Sequence, residues 1–229
     1  MDCEEVLRRL QRMADPSNLA GQARYGIDTS RSLGISAPEL RSLAREIGRD
    51  HDLAVALWES GIREARLLAA LVDDPARVTP EQMDAWAAEF ASWDVVDTCC
   101  CNLFDRTTFA YSKAIEWAKR EEEFVRRAGF ALMACLAVHD KKAADGDFEP
   151  FFAAIEEQSC DGRNFVRKAV NWALRQIGKR NLQLRDRAIE VAERVRTRDC
   201  RAAKWVASDA LRELRSPKLE ARLVPRTKR

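Results

Sequence analysis

An alanine-rich helical segment recurs along this chain, and the recurrence limits the folds open to it. Its copies share a polar or basic start, then an alanine and an apolar pattern, and their anchoring alanines lie at positions 65, 128, 169 and 203. The gaps between these alanines are 63, 41 and 34 residues. Because the first gap is close to two repeats, we expect a diverged copy near residue 97. Repeats of about 35 to 45 residues, each a pair of helices, are typical of helical-repeat solenoids.

Local patterns along the chain favour the same fold class. Ser36-Ala37-Pro38-Glu39 and Thr79-Pro80-Glu81-Gln82 both have a hydroxyl cap, a proline in the first turn and Glu or Gln three residues after the cap, which is typical of helix starts. No segment shows sustained strand alternation, and 9 Gly with 7 Pro are too few for the turns of an all-β sandwich. We therefore predict an all-α, curved, HEAT-like solenoid of about six helix pairs. It should form a single domain over residues 1–229, with a short basic tail at about 216–229.

Composition also excludes several classes of protein. No apolar run approaches the roughly 20 residues that span a bilayer, and the first residues lack the basic-then-apolar order of a secretion signal, so we expect a soluble, intracellular and cytoplasmic protein. The seven cysteines include Cys99-Cys100-Cys101 but no CxxC pair, and we interpret them as reduced thiols, mostly in the core. His51 and His139 are too few for a zinc cluster and are expected to be structural. The sequence therefore predicts neither a metal nor a cofactor.

Charge is distributed unevenly along the chain. The whole protein carries a formal charge of +2, but residues from 161 to the end hold 20 Lys and Arg against 8 Asp and Glu, a net +12, and residues 1–160 carry a net −10. Cations placed near phosphates release counterions, so such a segment can attract a polyanion, and nucleic acid is the first partner to consider. A solvated helical surface is the alternative interpretation.

Two helical stripes combine aromatic and charged side chains. Trp93 and Asp97 are four residues apart, so on a helix an indole lies beside a carboxylate. Three cations and a tryptophan share a second stripe, and burying the cations would be costly unless each were paired, so we expect this stripe to face solvent or a ligand. Its members are Lys168, Trp172, Arg175 and Lys179. Trp58, Trp86, Trp117 and Trp205 lack such neighbours and are expected to be core or half-buried.

One carboxylate in a cation-rich, aromatic groove suits chemistry at a nucleoside. Cleavage of a glycosidic bond passes through an oxocarbenium-like transition state that a carboxylate can stabilise while it orients water. Sugar hydrolases need a second acid to protonate the leaving group, but a base alkylated at a ring nitrogen is already cationic and leaves neutral. Asp97 is the candidate for this role, because Asp94 lies within two residues of Ser92 and is expected to support the helix start. From the residues alone, a surface or capping carboxylate is the alternative interpretation of Asp97.

Three motifs carry a resemblance to a known family. The segments 92–97, 124–132 and 164–175, together with Tyr25-Gly26-Ile27-Asp28 and residues 33–41, resemble the AlkD-type DNA alkylation repair glycosylases, over about residues 20 to 215. The resemblance implies a HEAT-like solenoid that wraps double-stranded DNA and releases N3- or N7-alkylated purines without metal or cofactor. Because a wrapping solenoid has charged ends, we expect a monomer. The triple cysteine after Asp97 departs from the pattern of the family.

The resemblance also implies roles for individual residues. It assigns catalysis to the carboxylate of Asp97, the aromatic walls to Trp93 and Trp172, and the phosphate grip beside the lesion to Arg127. It assigns contacts with the DNA to Tyr25, Lys168, Arg175, Lys179 and Arg180. Two other functions stay open: a non-catalytic relative that recognises distorted or branched DNA, and a protein-binding scaffold.

Overall fold

A computed structural model describes residues 1–224, which contain fourteen α-helices and no strand. The prediction of an all-α chain is confirmed. Contacts between Cα atoms group the chain into two compact units, residues Met1–Phe109 and the residues from Ala110 onward. The expected single domain stays a prediction. The expected basic tail falls partly on a short helix, Pro217–Leu223, and partly on residues 225–229, which lie outside the described residues.

The first unit contains seven α-helices. They are α1 Cys3–Arg12, α2 Leu19–Arg24, α3 Ala37–Ile47, α4 His51–Glu59, α5 Arg63–Val72, α6 Pro80–Ala88 and α7 Trp93–Asn102. Helix α5 packs against both α3 and α7, so α3, α5 and α7 form a row. Both predicted helix starts are confirmed: the Glu39 carboxylate accepts hydrogen bonds from the N–H and Oγ of Ser36 (3.1 and 2.6 Å), and Thr79 Oγ1 accepts one from Gln82 N (3.2 Å).

Aromatic stacking fills the core of this first unit. The rings of Trp58 and Trp86 stack with centroids 4.1 Å apart, and Phe104 packs beside Trp86. The buried carboxylate of Asp73 binds His51 Nδ1 (2.6 Å) and Gln82 Nε2 (2.8 Å), so His51 is structural, as predicted. Burial raises the pKa of Asp73 above its usual value, although these hydrogen bonds oppose the shift.

The second unit shows the layered packing of a helical repeat. Its helices are α8 Ala110–Ala118, α9 Glu123–His139, α10 Glu149–Gln158, α11 Asn164–Gly178, α12 Leu182–Arg196, α13 Arg201–Leu214 and α14 Pro217–Leu223. Helices α8, α10 and α12 pack in succession, as do α9, α11 and α13, and each helix of the second row packs on the helix before it in the chain. Three predicted alanine-rich segments, around residues 128, 169 and 203, therefore lie in one row.

A disulfide joins two helices of this unit. Cys160 follows α10 and Cys200 is the N-cap of α13, and their sulfur atoms are bonded with the Cα atoms 5.8 Å apart. The expectation that every cysteine is reduced is therefore wrong for this pair. Helix α12 packs against both α10 and α13, which brings the two cysteines close together. Because they are 40 residues apart in the chain, no local sequence pattern indicates that they are neighbours. Cys99 and Cys100 are fully buried, as predicted, and burial raises the pKa of the Cys99 thiol well above its usual value.

Candidate functional site

Helix α7 carries the first predicted stripe, in the first unit. Trp93 begins the helix and Asp97 lies one turn later, and both side chains are half-buried. The indole Nε1 of Trp93 donates a hydrogen bond to the backbone carbonyl of Tyr25 (2.9 Å), the residue that caps the C-terminus of α2. The structure therefore brings Tyr25 and Trp93 together and fixes one edge of the indole, and it leaves 74% of Tyr25 exposed.

The second carboxylate of α7 supports the helix start. Asp94 Oδ1 accepts a hydrogen bond from Ser92 Oγ, and Oδ2 accepts hydrogen bonds from Nε (2.8 Å) and Nη2 of Arg63. The interpretation of Asp94 as a structural residue is confirmed. Arg63 also donates to Glu64 (2.8 Å), whose buried carboxylate binds the backbone N–H groups of residues 33 and 34 at 2.8 and 3.1 Å.

Asp97, Arg127 and Lys168 occupy the same position in their helices. Each is the fifth residue, of α7, α9 and α11 respectively, so the copy expected near residue 97 has the same register as the copies around residues 128 and 169. Glu64 precedes the anchoring alanine at 65 as Arg127 and Lys168 precede theirs, but it is the second residue of α5, and its carboxylate faces the loop before α3.

Arg127 is buried in the second unit. Only 6% of the residue is exposed, and its Nη1 donates a hydrogen bond to the carbonyl of Phe165 in the first turn of α11 (2.8 Å). This bond ties α9 to α11 and fixes the position of the guanidinium. A contact between Arg127 and DNA therefore requires a phosphate to approach a side chain whose orientation is already set.

Acidic side chains of α13 pair with two cations of the α11 stripe. The carboxylate of Glu213 accepts hydrogen bonds from Arg175 (2.6 Å) and Lys179 (2.9 Å). Burial raises the pKa of Glu213, but the two cations outweigh it and hold that pKa below its usual value. Trp172 is half-buried on the same helix, and Lys168 is exposed. Lys168 faces solvent, as expected for this stripe. Arg175 and Lys179 are partly buried instead, and the carboxylate of Glu213 offsets the cost of burying them.

Arg180 has a structural role at the end of α9. Its guanidinium donates to the carbonyls of Ala137 and Asp140 (both 2.8 Å) and of Ala143 (3.2 Å), and it lies 4.5 Å from the ring centroid of Phe148. Ala137 lies in the last turn of α9 and the other two residues follow the helix, where backbone carbonyls lack intrahelical partners. A contact of Arg180 with DNA stays a prediction, and it would have to form in addition to these bonds.

Comparison with known proteins places the chain in a family. It matches the family model described as DNA alkylation repair enzyme over residues 6–214. The chain belongs to this family. The uncharacterized protein Lin0241 of Listeria innocua is 23% identical over 196 residues, which cover 84% of this chain and 85% of that protein.

A solved structure has the same fold as this family member. It is described as a new family of proteins related to the HEAT-like repeat DNA glycosylases with affinity for branched DNA structures, and it matches with a TM-score of 0.76 and 17% identity. The match covers 93% of this chain and 95% of the other. The HEAT-like repeat fold is therefore confirmed.

One basic surface of this DNA alkylation repair family member was missed by the sequence analysis. Arg41, Arg45 and Arg49 follow one another at intervals of four from α3, are exposed, and line a shallow pocket of about 370 Å³ with Leu71 and Asn102. Arg49 lies 3.5 Å from Asp74. The spacing of four residues could have predicted a basic helix face. The sequence analysis considered only the net charge of residues 1–160, which is negative.

Neither a metal centre nor a membrane segment emerges from the described part of the chain. Within residues 1–224, no group of three His, Cys, Asp or Glu side chains is arranged to hold a metal ion. In the same residues, every helix is too short or too polar to cross a bilayer.

Proposed function

We propose that this family member is a DNA glycosylase that removes cationic N3- or N7-alkylated purines from duplex DNA. The proposal is supported above all by the arrangement on α7, where the half-buried Asp97 lies one turn from an indole held by the carbonyl of Tyr25. The other carboxylate of this helix, Asp94, is engaged through both oxygens in structural hydrogen bonds. We assign the chemistry to Asp97, the carboxylate of the α7 motif that lies one turn from this indole.

The reaction needs little from the protein beyond this carboxylate. As the bond between C1′ and the base nitrogen breaks, its electron pair neutralises the cationic base, which leaves without a proton. The negative charge of Asp97 stabilises the positive charge that develops on the sugar, and its oxygen accepts a hydrogen bond from the attacking water. The water oxygen bonds to C1′ and passes a proton to the carboxylate of Asp97, which releases it to solvent, and the products are a free base and an abasic site.

Other side chains complete the proposal. Trp93 offers an aromatic face to the positively charged base or sugar. The resemblance assigns a second aromatic wall to Trp172 and a phosphate grip to Arg127, and the exposed Lys168 suits a contact with the DNA backbone. Arg175 and Lys179 already donate to Glu213, so a phosphate that contacts them would share these cations with the Glu213 carboxylate.

A base-release assay with duplexes that contain N7-methylguanine or N3-methyladenine tests the proposal. We expect the wild-type protein to release the free base and Asp97→Asn to lose release by about 100-fold or more, because the variant lacks the charge that stabilises the transition state. Its affinity for the modified duplex should stay near that of the wild type. Asp52→Asn, which makes the same change on the exposed surface of α4, is the matched control and should release base normally. Retained release by Asp97→Asn would contradict the catalytic assignment.

One observation favours a second function. The solved structure with the same fold is described as having affinity for branched DNA. If this chain acts in that way, purified protein will bind forked duplex in preference to linear duplex and release no base from either methylated substrate.

A further inference from the structure

An exposed tryptophan lies on α13, contrary to the expectation that it would be core or half-buried. Trp205 is 37% exposed, although its neighbours Ala203, Val206 and Ala207 are fully buried. The buried residues face α11 and α12, so Trp205 is not needed to close the core. The exposed part of the indole is therefore available for contacts outside the core.

The indole of Trp205 is already stacked on one cation. The guanidinium carbon of Arg167, on the neighbouring helix α11, lies 4.5 Å from the ring centroid. Arg167 Nη2 donates a weak hydrogen bond to Asn164 (3.3 Å), while its Nε is buried and has no hydrogen-bond partner within residues 1–224. The guanidinium therefore gives up a hydrogen bond to lie against the ring. We call this pair the Trp205–Arg167 stack.

Three exposed cations lie within one helical turn of the two residues of the stack, on α11 and α13. Lys168 follows Arg167 and is exposed, and Arg201 and Lys204 are exposed within one turn before Trp205. Lys204 is held by Asp199 (2.9 Å). A flat aromatic ring among cations matches the combination with which proteins bind unpaired nucleotides, where the ring contacts a base and the cations contact phosphates.

We propose that the Trp205–Arg167 stack binds an unpaired DNA base next to a duplex. In the interior of a duplex each base is covered on both faces by its neighbours, so away from the duplex ends an indole can stack only on a base that is unpaired. The base would lie on the indole, Arg167 would add a cation–π interaction, and the flanking phosphates would meet Lys168 and Arg201. This inference rests on the proposed binding of DNA and adds a substrate class, DNA that carries single-stranded nucleotides.

The test compares a blunt duplex with the same duplex carrying a single-stranded thymine tail, both fluorescently labelled and measured by anisotropy. Trp205→Ala should weaken binding of the tailed duplex by about 5- to 150-fold, the range for the loss of one base–aromatic stack, and leave the blunt duplex unchanged. Trp205→Phe keeps an aromatic face and should retain most of the tail preference. Because the residue is exposed, thermal unfolding should show that both variants fold.

A crosslinking experiment provides a second readout. With 5-iodouracil in the tail, irradiation should join the tail to the peptide that contains Trp205 in the wild-type protein, and the Ala variant should lose this crosslink. Equal loss of affinity for both duplexes, no loss for either, or a wild-type dimer that Trp205→Ala converts to a monomer would overturn the proposal. Base release from a blunt methylated duplex is scored separately, so a failure of the stack and a failure of the glycosylase proposal give different results.

Discussion

Two aspartates three residues apart on α7 have different environments. Asp94 is fixed by Ser92 and by the side chain of Arg63, which is 31 residues away in the chain. Asp97 lies one turn from Trp93 on the same helix. Asp94, which accepts two hydrogen bonds from an arginine through one oxygen and one from Ser92 through the other, contributes to stability, and our proposal assigns the chemistry to Asp97, one turn from the indole.

This difference predicts opposite consequences for two equivalent substitutions. Asp94→Asn should lower the free energy of unfolding by about 1.5–3 kcal/mol, because it removes charged hydrogen bonds from the partly buried Arg63. Chemical denaturation measures the change, and Asp52→Asn on the exposed surface of α4 should shift it by no more than about 0.5 kcal/mol. The Asp94 variant should still release alkylated base at a temperature where it is folded. Unchanged stability combined with lost release would move the chemistry to Asp94.

The sequence predicted the role of Asp94 but not its partner. The position of an acid just after Ser92 is a local signal, and local signals are readable without a structure. The contact with Arg63 depends on how α5 packs against α7, which no local pattern records. The exposure of Trp205 was missed for the same reason, since its cationic partner Arg167 lies on another helix.

At the scale of helices, Gly129 allows α8 and α9 to approach closely. A Cβ atom built on this residue would lie 2.8 Å from the carbonyl oxygen of Ala114, and still closer to the backbone N of Ala118. Both contacts are with backbone atoms of α8, which cannot rotate away as a side chain could. The helix pair therefore requires glycine at this position.

Gly129→Ala should destabilise the second unit. Although alanine favours a helix, the overpacking at α8 should lower the free energy of unfolding by about 1–3 kcal/mol. Gly162→Ala is the matched control, because no atom lies within 4 Å of its added Cβ. Thermal unfolding should show a lower Tm for the first variant alone, and equal Tm values for the two would mean that α8 shifts without cost.

Helix starts and the succession of repeats were predictable, whereas pairing between repeats was not. Ser36 and Thr79 signal their helices within four residues. The acids that pair with α11 lie on α13, and Glu213 is 38 residues from Arg175. The bond between Cys160 and Cys200 spans a similar distance. A repeat places equivalent positions of neighbouring helices side by side. Which side chains contact each other also depends on the exact alignment of the copies, and the sequences of these copies have diverged too far to fix that alignment.

For the whole molecule, the count of charges overstates the number of cations available to DNA. The segment from residue 161 onward has a net +12, yet several of its cations are occupied by carboxylates within the second unit. Arg187 binds both carboxylate oxygens of Glu149, and Arg194 binds both carboxylate oxygens of Glu156. Conversely, the acidic first part of the chain contains the exposed arginines of α3. Availability, rather than formal charge, should therefore set the strength of binding to a polyanion.

The salt dependence of DNA binding tests this argument. Each phosphate contact releases counterions and contributes about 0.9 to the slope of log K against log salt concentration, so Arg41→Gln/Arg45→Gln should reduce the magnitude of the slope by about 2 if both arginines contact phosphates. The matched control, Arg187→Gln/Arg194→Gln, removes the same formal charge from residues already paired with carboxylates and should leave the slope nearly unchanged. If both variants reduce the slope equally, net charge alone governs binding, and the arginines of α3 do not form a specific DNA-binding surface. If the control alone reduces it, DNA binds along α12 and displaces the carboxylates from their arginines.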